Sequence, residues 1–236
     1  GPDSDQDIIK CGSYVGDGTD FQEIDLGFEA QWVMTKATSR TSNWDITDIM
    51  RGLTVDNSER LEANSDTDEN TETFKKVYNN GFMVSGNNTD SNTGTQTYIY
   101  MAIRRAPLAS PESATDVFAV AARTGASGNQ GAYRSGFPVD MAFHKVVTSS
   151  ANPYEIGSRL TQGNSMNTTD TSAETTQSDQ QYDYMDGWNS ESSSSSTKYA
   201  WMWKRARGYF DVVAYTGNST QGRTVSHNLG VAPEMM

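Results

Sequence analysis

The feature that most constrains this 236-residue chain is that it is written twice, with the opening of a third copy. Leu26-Gly27-Phe28 and Trp32-Val33-Met34-Thr35-Lys36 in the first copy correspond to Ser135-Gly136-Phe137 and Met141-Ala142-Phe143-His144-Lys145 in the second. Gly27 to Gly136 is an offset of 109, and so is Lys36 to Lys145. Gly81-Phe82 pairs with Gly187-Trp188 at 106, and Tyr98-Ile99-Tyr100-Met101 with Tyr199-Ala200-Trp201-Met202 at 101. A third opening starts at Phe210-Asp211-Val212-Val213 and runs through Leu229-Gly230-Val231 to Met236. A drifting offset means that loops change length while strands do not, so the unit is a module of about a hundred residues. The expected organisation is a leader over 1–7 (Gly1-Pro2 reads as the scar of a cleaved tag), a first module over 8–107, a linker over 108–115 and a second module over 116–208. Residues 209–236 read as the opening strands of a third unit, with completion of the second sandwich the preferred role for that hairpin.

Strand signals dominate and helical ones are weak. Ile24, Leu26 and Phe28 alternate with Asp25 and Gly27, the period of two that marks a half-buried strand. Further strands are expected over 31–37, from Asn43, and over 59–63, 81–85 and 97–103, and in the second copy over 118–122, 140–146, 154–156 and 199–204. Polar stretches at 65–72, 86–94, 168–179 and the serine run 192–196 read as loops. Many short strands with polar turns give an all-β fold: tandem antiparallel β-sandwiches of jelly-roll or lectin-like type. Merging both copies into one large sandwich is the alternative.

Charge narrows the partners. With 18 basic and 30 acidic residues the net charge is −12, which disfavours nucleic acid as a partner. The cluster Lys204-Arg205-Ala206-Arg207 reads as a solvated strand end. Cys11 is the only cysteine, which excludes an intramolecular disulfide and a Cys-based zinc site. No apolar run reaches the ~20 residues of a membrane-spanning helix, so no membrane insertion is expected. Abundant Ser, Thr, Asn and Gly suit an extracellular or virion-surface β-protein.

Two aromatic groups are candidates for binding. Tyr98 and Tyr100 share one strand face, as do Tyr199, Trp201 and Trp203, and rings in such rows can stack on sugars; their matching places in the two copies favour core instead. The loop around Tyr182, Asp183, Tyr184 and Asp186 interleaves rings with carboxylates, as a glycan-contacting surface would, whereas Trp188 aligns with Phe82 and reads as core. Asp66-Thr67-Asp68-Glu69-Asn70-Thr71-Glu72 and Asp17-Gly18-Thr19-Asp20 offer oxygens to a hard cation such as calcium. The first lacks the required glycine and has Val77 where a bidentate Glu belongs, so both read as solvated loops and no cofactor is expected. His144 and His227 stand in no recognised catalytic motif, and the chain does not read as an enzyme.

One family resemblance rests on particular residues: the turns Tyr14-Val15-Gly16 and Tyr215-Thr216-Gly217, with Asn43-Trp44, Met50-Arg51-Gly52, Asn79-Asn80-Gly81-Phe82 and Thr97-Tyr98-Ile99-Tyr100-Met101-Ala102-Ile103. Together with Val225-Ser226-His227-Asn228-Leu229-Gly230-Val231-Ala232-Pro233 they resemble a repeated β-sandwich module of tail fibres and other virion appendages of marine tailed phages. The second copy departs at Gly157-Ser158-Arg159, which replaces Met50-Arg51-Gly52. The resemblance implies a virion structural protein exposed on the particle, other tail subunits as partners, a homo-oligomer (commonly a trimer) and contact with host-surface glycans. A polysaccharide-degrading tailspike enzyme and a secreted carbohydrate-binding module are the alternative functions.

Overall fold

The computed structural model describes residues 8–105, 110–124, 133–147, 154–169, 171–177, 180–190 and 197–236. The chain is all-β and divides into two compact units, one of Gly1–Pro107 with Val213–His227, the other of Leu108–Val212 with Asn228–Met236. The first contains β1 (Ile9–Val15), β2 (Gln22–Asp25), β3 (Ala30–Ala37), β4 (Asp45–Asp48), β5 (Ser58–Glu62), β6 (Asn70–Glu72), β7 (Lys75–Tyr78), β8 (Gly81–Val84) and β9 (Thr97–Arg104). The second contains β10 (Phe118–Thr124), β11 (Tyr133–Arg134), β12 (Met141–Val146), β13 (Glu155–Ser158), β14 (Asn164–Asn167), β15 (Thr175–Thr176), β16 (Gln180–Gln181), β17 (Gly187–Ser190) and β18 (Thr197–Trp203).

Strand order repeats as the sequence does. A six-stranded sheet β1-β9-β3-β4-β5-β6 faces a three-stranded sheet β2-β8-β7 in the first unit, and β10-β18-β12-β13-β14-β15 faces β11-β17-β16 in the second. These are tandem antiparallel sandwiches, each with its own core, so the single merged sandwich is set aside. Alternation along β3 shows why the sheet has two characters: Val33, Thr35 and Ala37 are buried, while Trp32, Met34 and Lys36 point outward. Val33, Tyr98 and Ala102 meet Ile24, Phe82 and Val84 of the small sheet in one core. Ala142, Ala200 and Met202 meet Tyr133, Tyr182 and Trp188 in the other.

The repeated glycine marks one shared turn. Gly27 has φ 84° and Gly136 φ 81°, in the left-handed region that a side chain disfavours. Leu26 and Gly27 both donate to the Asn80 carbonyl (2.8 and 3.1 Å), and Ser135 and Gly136 both donate to the Asp186 carbonyl (2.9 and 3.2 Å). The turn thereby anchors each large-sheet approach to the head of the small-sheet hairpin. At that head, a Cβ on Gly81 would meet the Ile24 carbonyl oxygen at 1.9 Å, so backbone contact excludes any side chain.

Several expectations are corrected. The offset of 101 assigned to the closing strand is wrong by one residue. Lys36 faces Ile99 and Lys145 faces Tyr199, so β9 and β18 are related by 100. A one-residue slip in a strand exchanges its faces. Tyr98 is core, but its counterpart is Lys198, and Tyr199, Trp201 and Trp203 point outward with Tyr199 39% exposed. Residues 70–72 and 175–176, read as loop, form the edge strands β6 and β15. Arg205 is no solvated strand end; it is buried, with its backbone N–H on Asp140 Oδ2 at 2.7 Å and its guanidinium on Asp211.

Residues 211–236 form no strand; Ala206 and Phe210 make an isolated bridge. The third opening therefore does not complete the second sandwich. In each copy the opening strand pairs with that copy's closing strand, β1 with β9 and β10 with β18, and both closing strands are already flanked on either side. Of the linker residues, 110–113 lead into a turn at Ala114–Asp116 capped by Ser113; the rest, and the serine run 192–196, lie outside the described residues.

Candidate outward-facing sheet surfaces

The outward faces of the two large sheets carry the same unusual feature. Antiparallel sheets with one face on a core commonly turn polar residues outward on the other. Here Cys11, Met101, Met34, Ile46 and Leu61 stand side by side across β1, β9, β3, β4 and β5. Val120, Trp201, Phe143, Ile156 and Met166 stand in the same places across β10, β18, β12, β13 and β14. Each is an uncharged, partly exposed ladder; Leu61 is 38% exposed, Val120 49% and Met166 45%.

The two faces differ in what flanks the ladder. In the first unit Ile9 and Ile103 lie on one side with Trp32, and Ile99 on the other beside Lys36. In the second the corresponding places hold Phe118, Trp203 and Met141 on one side and Tyr199 beside Lys145 on the other. Trp203 packs between Phe118 and Phe143, with ring centroids at 5.1 and 5.0 Å. Tyr154 and Tyr199 flank Trp201 at 6.0 and 6.5 Å, and the Lys145 ammonium sits 4.4 Å from the centre of the Tyr154 ring. Sequence reasoning missed this surface because the offset of 101 put the rings on the wrong face. The signal was present in Lys36 and Lys145, whose common offset fixes the register of the adjoining strand.

The glycan candidates of the loop before β17 do not stay together. Tyr182 is fully buried in the second core, 5.8 Å from Trp188 between ring centroids. It follows β16 at the place that Val77 holds within β7, one residue beyond the pair Gln181 and Asn189, so it faces inward as Val77 does. Burial pushes its phenol well above the ordinary range. A ring so placed has no face for a sugar, and Tyr182 leaves the candidate set. Asp183 is exposed and Tyr184 half-buried. Asp186 is exposed and pairs with Arg134, while its carbonyl holds the Gly136 turn. Trp188 is core, as its alignment with Phe82 required.

The carboxylates that the first unit does gather are tied to cations in its interior. Arg60 contacts Asp90 at 2.9 Å, Glu62 at 3.1 Å, Glu72 at 3.4 Å and Asp45 at 3.9 Å, and Lys75 lies 2.9 Å from Asp45. Burial lowers the Lys75 pKa, against the pull of Asp45. Glu69 of the acidic loop pairs with Arg51 at 2.9 Å, and Asp17 Oδ1 accepts from the Thr19 backbone and hydroxyl, both at 2.8 Å. Among the described residues, no group of three or more His, Cys, Asp or Glu is placed to hold a metal ion. His144 is buried with Nε2 3.3 Å from Glu155, and His227 is exposed.

Residues 6–107 match a family described as a domain of unknown function, DUF7483. The match spans the first repeat. No curated protein and no solved structure matches the chain.

Proposed function

We propose that this chain is a non-enzymatic building module of an extracellular assembly, a virion appendage of the tail-fibre type that its sequence resembles. Its large-sheet outer faces make the contacts with neighbouring subunits, first among them further copies of the same chain. The observation that carries this reading is the uncharged ladder that occupies matching outward positions in both copies. A patch of this extent is of the size of the largest on an ordinary monomer, and such patches are often functional.

Area sets the expected strength. Five strands ~4.8 Å apart, with outward residues ~6.8 Å apart along each, give a face of about 400–500 Å². A standard interface buries about 800 Å² on each partner, so one face alone makes a weak contact and repetition along an assembly supplies the rest. The net charge of −12 makes like copies repel, so screening by salt strengthens association.

Sedimentation velocity of the 236-residue chain over a range of concentrations, at low and high salt, tests this. The expected result is reversible, salt-promoted self-association that Met34→Asp weakens without loss of the β-sheet circular dichroism. A monomer at every concentration and salt would remove the reading.

A further inference from the structure

The buried pair Lys75 and Asp45 has the geometry of a reaction as well as that of an ion pair. Asp45 faces inward from β4 of the large sheet and Lys75 from β7 of the small one, and their side chains are 2% and 1% exposed. Lys75 Nζ lies 2.9 Å from Asp45 Oδ1. It stands out of line for a hydrogen bond: Oδ1 accepts none among the described residues, and Nζ donates a long one, 3.5 Å, to the Asp45 backbone carbonyl. The nitrogen is thus set against the carboxyl group, one bond from Cγ, and no hydrogen bond commits the oxygen nearest to it.

Burial to this depth makes both charges costly. It lowers the Lys75 pKa against the attraction of Asp45, and the nearby Arg60 guanidinium adds to the fall. Desolvation and a neighbouring cation are two of the means by which a lysine becomes a nucleophilic amine. Arg60 is also placed for the other half of a reaction. Its Nη1 lies 3.9 Å from Asp45 Oδ2, and Asp90 at 2.9 Å and Glu62 at 3.1 Å hold it there. Negative charge that grows on Oδ2 therefore meets a fixed cation.

We infer that Lys75 and Asp45 join in an intramolecular isopeptide bond, formed by the folded first unit itself. A proton passes from the Nζ ammonium to Oδ1, which leaves a neutral amine beside a carboxylic acid. Nζ then bonds to Cγ while charge gathers on Oδ2 beside Arg60. The Cγ–Oδ1 bond breaks, and Oδ1 takes a second proton from the nitrogen and departs as water. The third proton stays on the amide nitrogen, and Oδ2 becomes the amide oxygen. No oxidant, cofactor or further reactant enters. Holding the two groups in contact supplies the entropy that the same condensation lacks between separate molecules. One positive and one negative charge vanish together, so the pairing of Arg60 with Asp90, Glu62 and Glu72 is left balanced.

The bond ties the large sheet to the small one across a separation of 30 residues. That is the service a disulfide performs by constraining the unfolded chain, in a sequence whose single cysteine can form none within it. The second unit holds Glu155 and Gln180 at the matching places, so it has no amine to condense and stays unlinked. The reaction needs no neighbouring subunit, and it stands or falls apart from the assembly role proposed above.

Mass spectrometry of the full chain, first intact and then after denaturation and trypsin, tests this. The expected intact mass is below that of the sequence by one water, about 18 Da. Trypsin cuts after Arg40, Arg51, Arg60 and Lys76 but not after an acylated Lys75, so peptides 41–51 and 61–76 should run as one linked species. Fragmentation is expected to place the link at Asp45 and Lys75. Lys75→Met and Asp45→Ala should each have the full mass of their own sequence, with the two peptides separate and the β-sheet circular dichroism retained. The unsubstituted chain decides the matter even where a variant fails to fold. Its full mass overturns the proposal, as does a deficit that maps to a succinimide at Asp17-Gly18 or Asp186-Gly187, or a link that survives in Lys75→Met.

Discussion

The two copies share strand order and register, yet they fill the same positions with different chemistry on both faces of the large sheet. On the inward face the first copy places Thr35, Asp45 and Arg60 where the second places His144, Glu155 and Ser165. The small-sheet partner changes with them, from Lys75 to Gln180. At these positions the first interior gathers an ion network and the second does not, although both cores also hold packed rings. The second is less fully paired: His144 Nδ1 and both ends of the Gln180 amide find no hydrogen-bond partner among the described residues. What is constant between copies is backbone geometry, and what varies is the means of filling it. Duplication preserved a scaffold and left each interior to be completed separately.

The sharpest way to break the comparison is to remove the first interior's central cation. Arg60→Met leaves Asp90 and Asp45 facing each other without their shared partner, and stripping one side of a buried ion cluster costs about 3–5 kcal/mol. The loss appears in urea unfolding and as faster hydrogen exchange in β4 and β5. Ser165→Ala, at the matching place in the second copy, costs less than about 1 kcal/mol, because no charge there depends on it. Equal losses would mean that the two interiors are not closed by different means. Next in size is Tyr182→Val, which installs the residue of the first copy in the second. The site is fully buried, and the vacated ring volume is expected to cost about 2–4 kcal/mol in the same measurement.

Legibility followed the same division between backbone and filling. The alternation of Ile24, Leu26 and Phe28 and the turn glycines Gly27 and Gly136 locate strands and turns, because period and φ are local properties. The pairing of Gly81-Phe82 with Gly187-Trp188 placed Trp188 in the core. Short edge strands such as β6 were not legible, since their polar sequence gains strand form only from the hydrogen bonds of β5. The site was lost through register. Tyr98 and Tyr199 look alike in sequence, but cross-strand pairing with Lys36 and Lys145 sets which face each occupies, and that information lies in a different strand. Tyr182 misled for a related reason: a tyrosine in a polar stretch reads as exposed until its strand is seen to continue into the core.

Acid offers a third contrast, opposite in origin to an ordinary carboxylate effect. His144 is buried, and burial first, then Lys198 and Arg123, lower its pKa from 6.5 to about 3, even with Glu155 beside Nε2. In the unfolded chain it takes up a proton near 6.5; in the folded unit it does not until about 3. Stability of the second unit therefore falls as pH drops through that window, by at most about 1.4 kcal/mol per pH unit, and levels off below it. His144→Thr, which copies Thr35, should flatten this part of the pH profile for hydrogen exchange in β12 while leaving β3 unchanged. An unaltered slope in β12 would show that other groups govern the acid response.

The smallest effect tests what the copies have in common. Gly27 and Gly136 adopt nearly the same positive φ, and a Cβ built on either meets nothing within 4 Å. Substitution by alanine therefore adds no clash, and its cost is the conformational penalty of holding an L residue in that region, about 1–2 kcal/mol. The two hydrogen bonds to Asn80 and to Asp186 hold each turn in that conformation and prevent relaxation to negative φ. Gly27→Ala and Gly136→Ala should accordingly destabilise by equal amounts in urea unfolding, although the two turns adjoin interiors that are filled differently. Substituting asparagine, which tolerates this region better, should recover part of the loss in both. A cost confined to one copy would mean that the turn is held by the filling of its interior, and that the scaffold is less independent of its contents than the matched registers suggest.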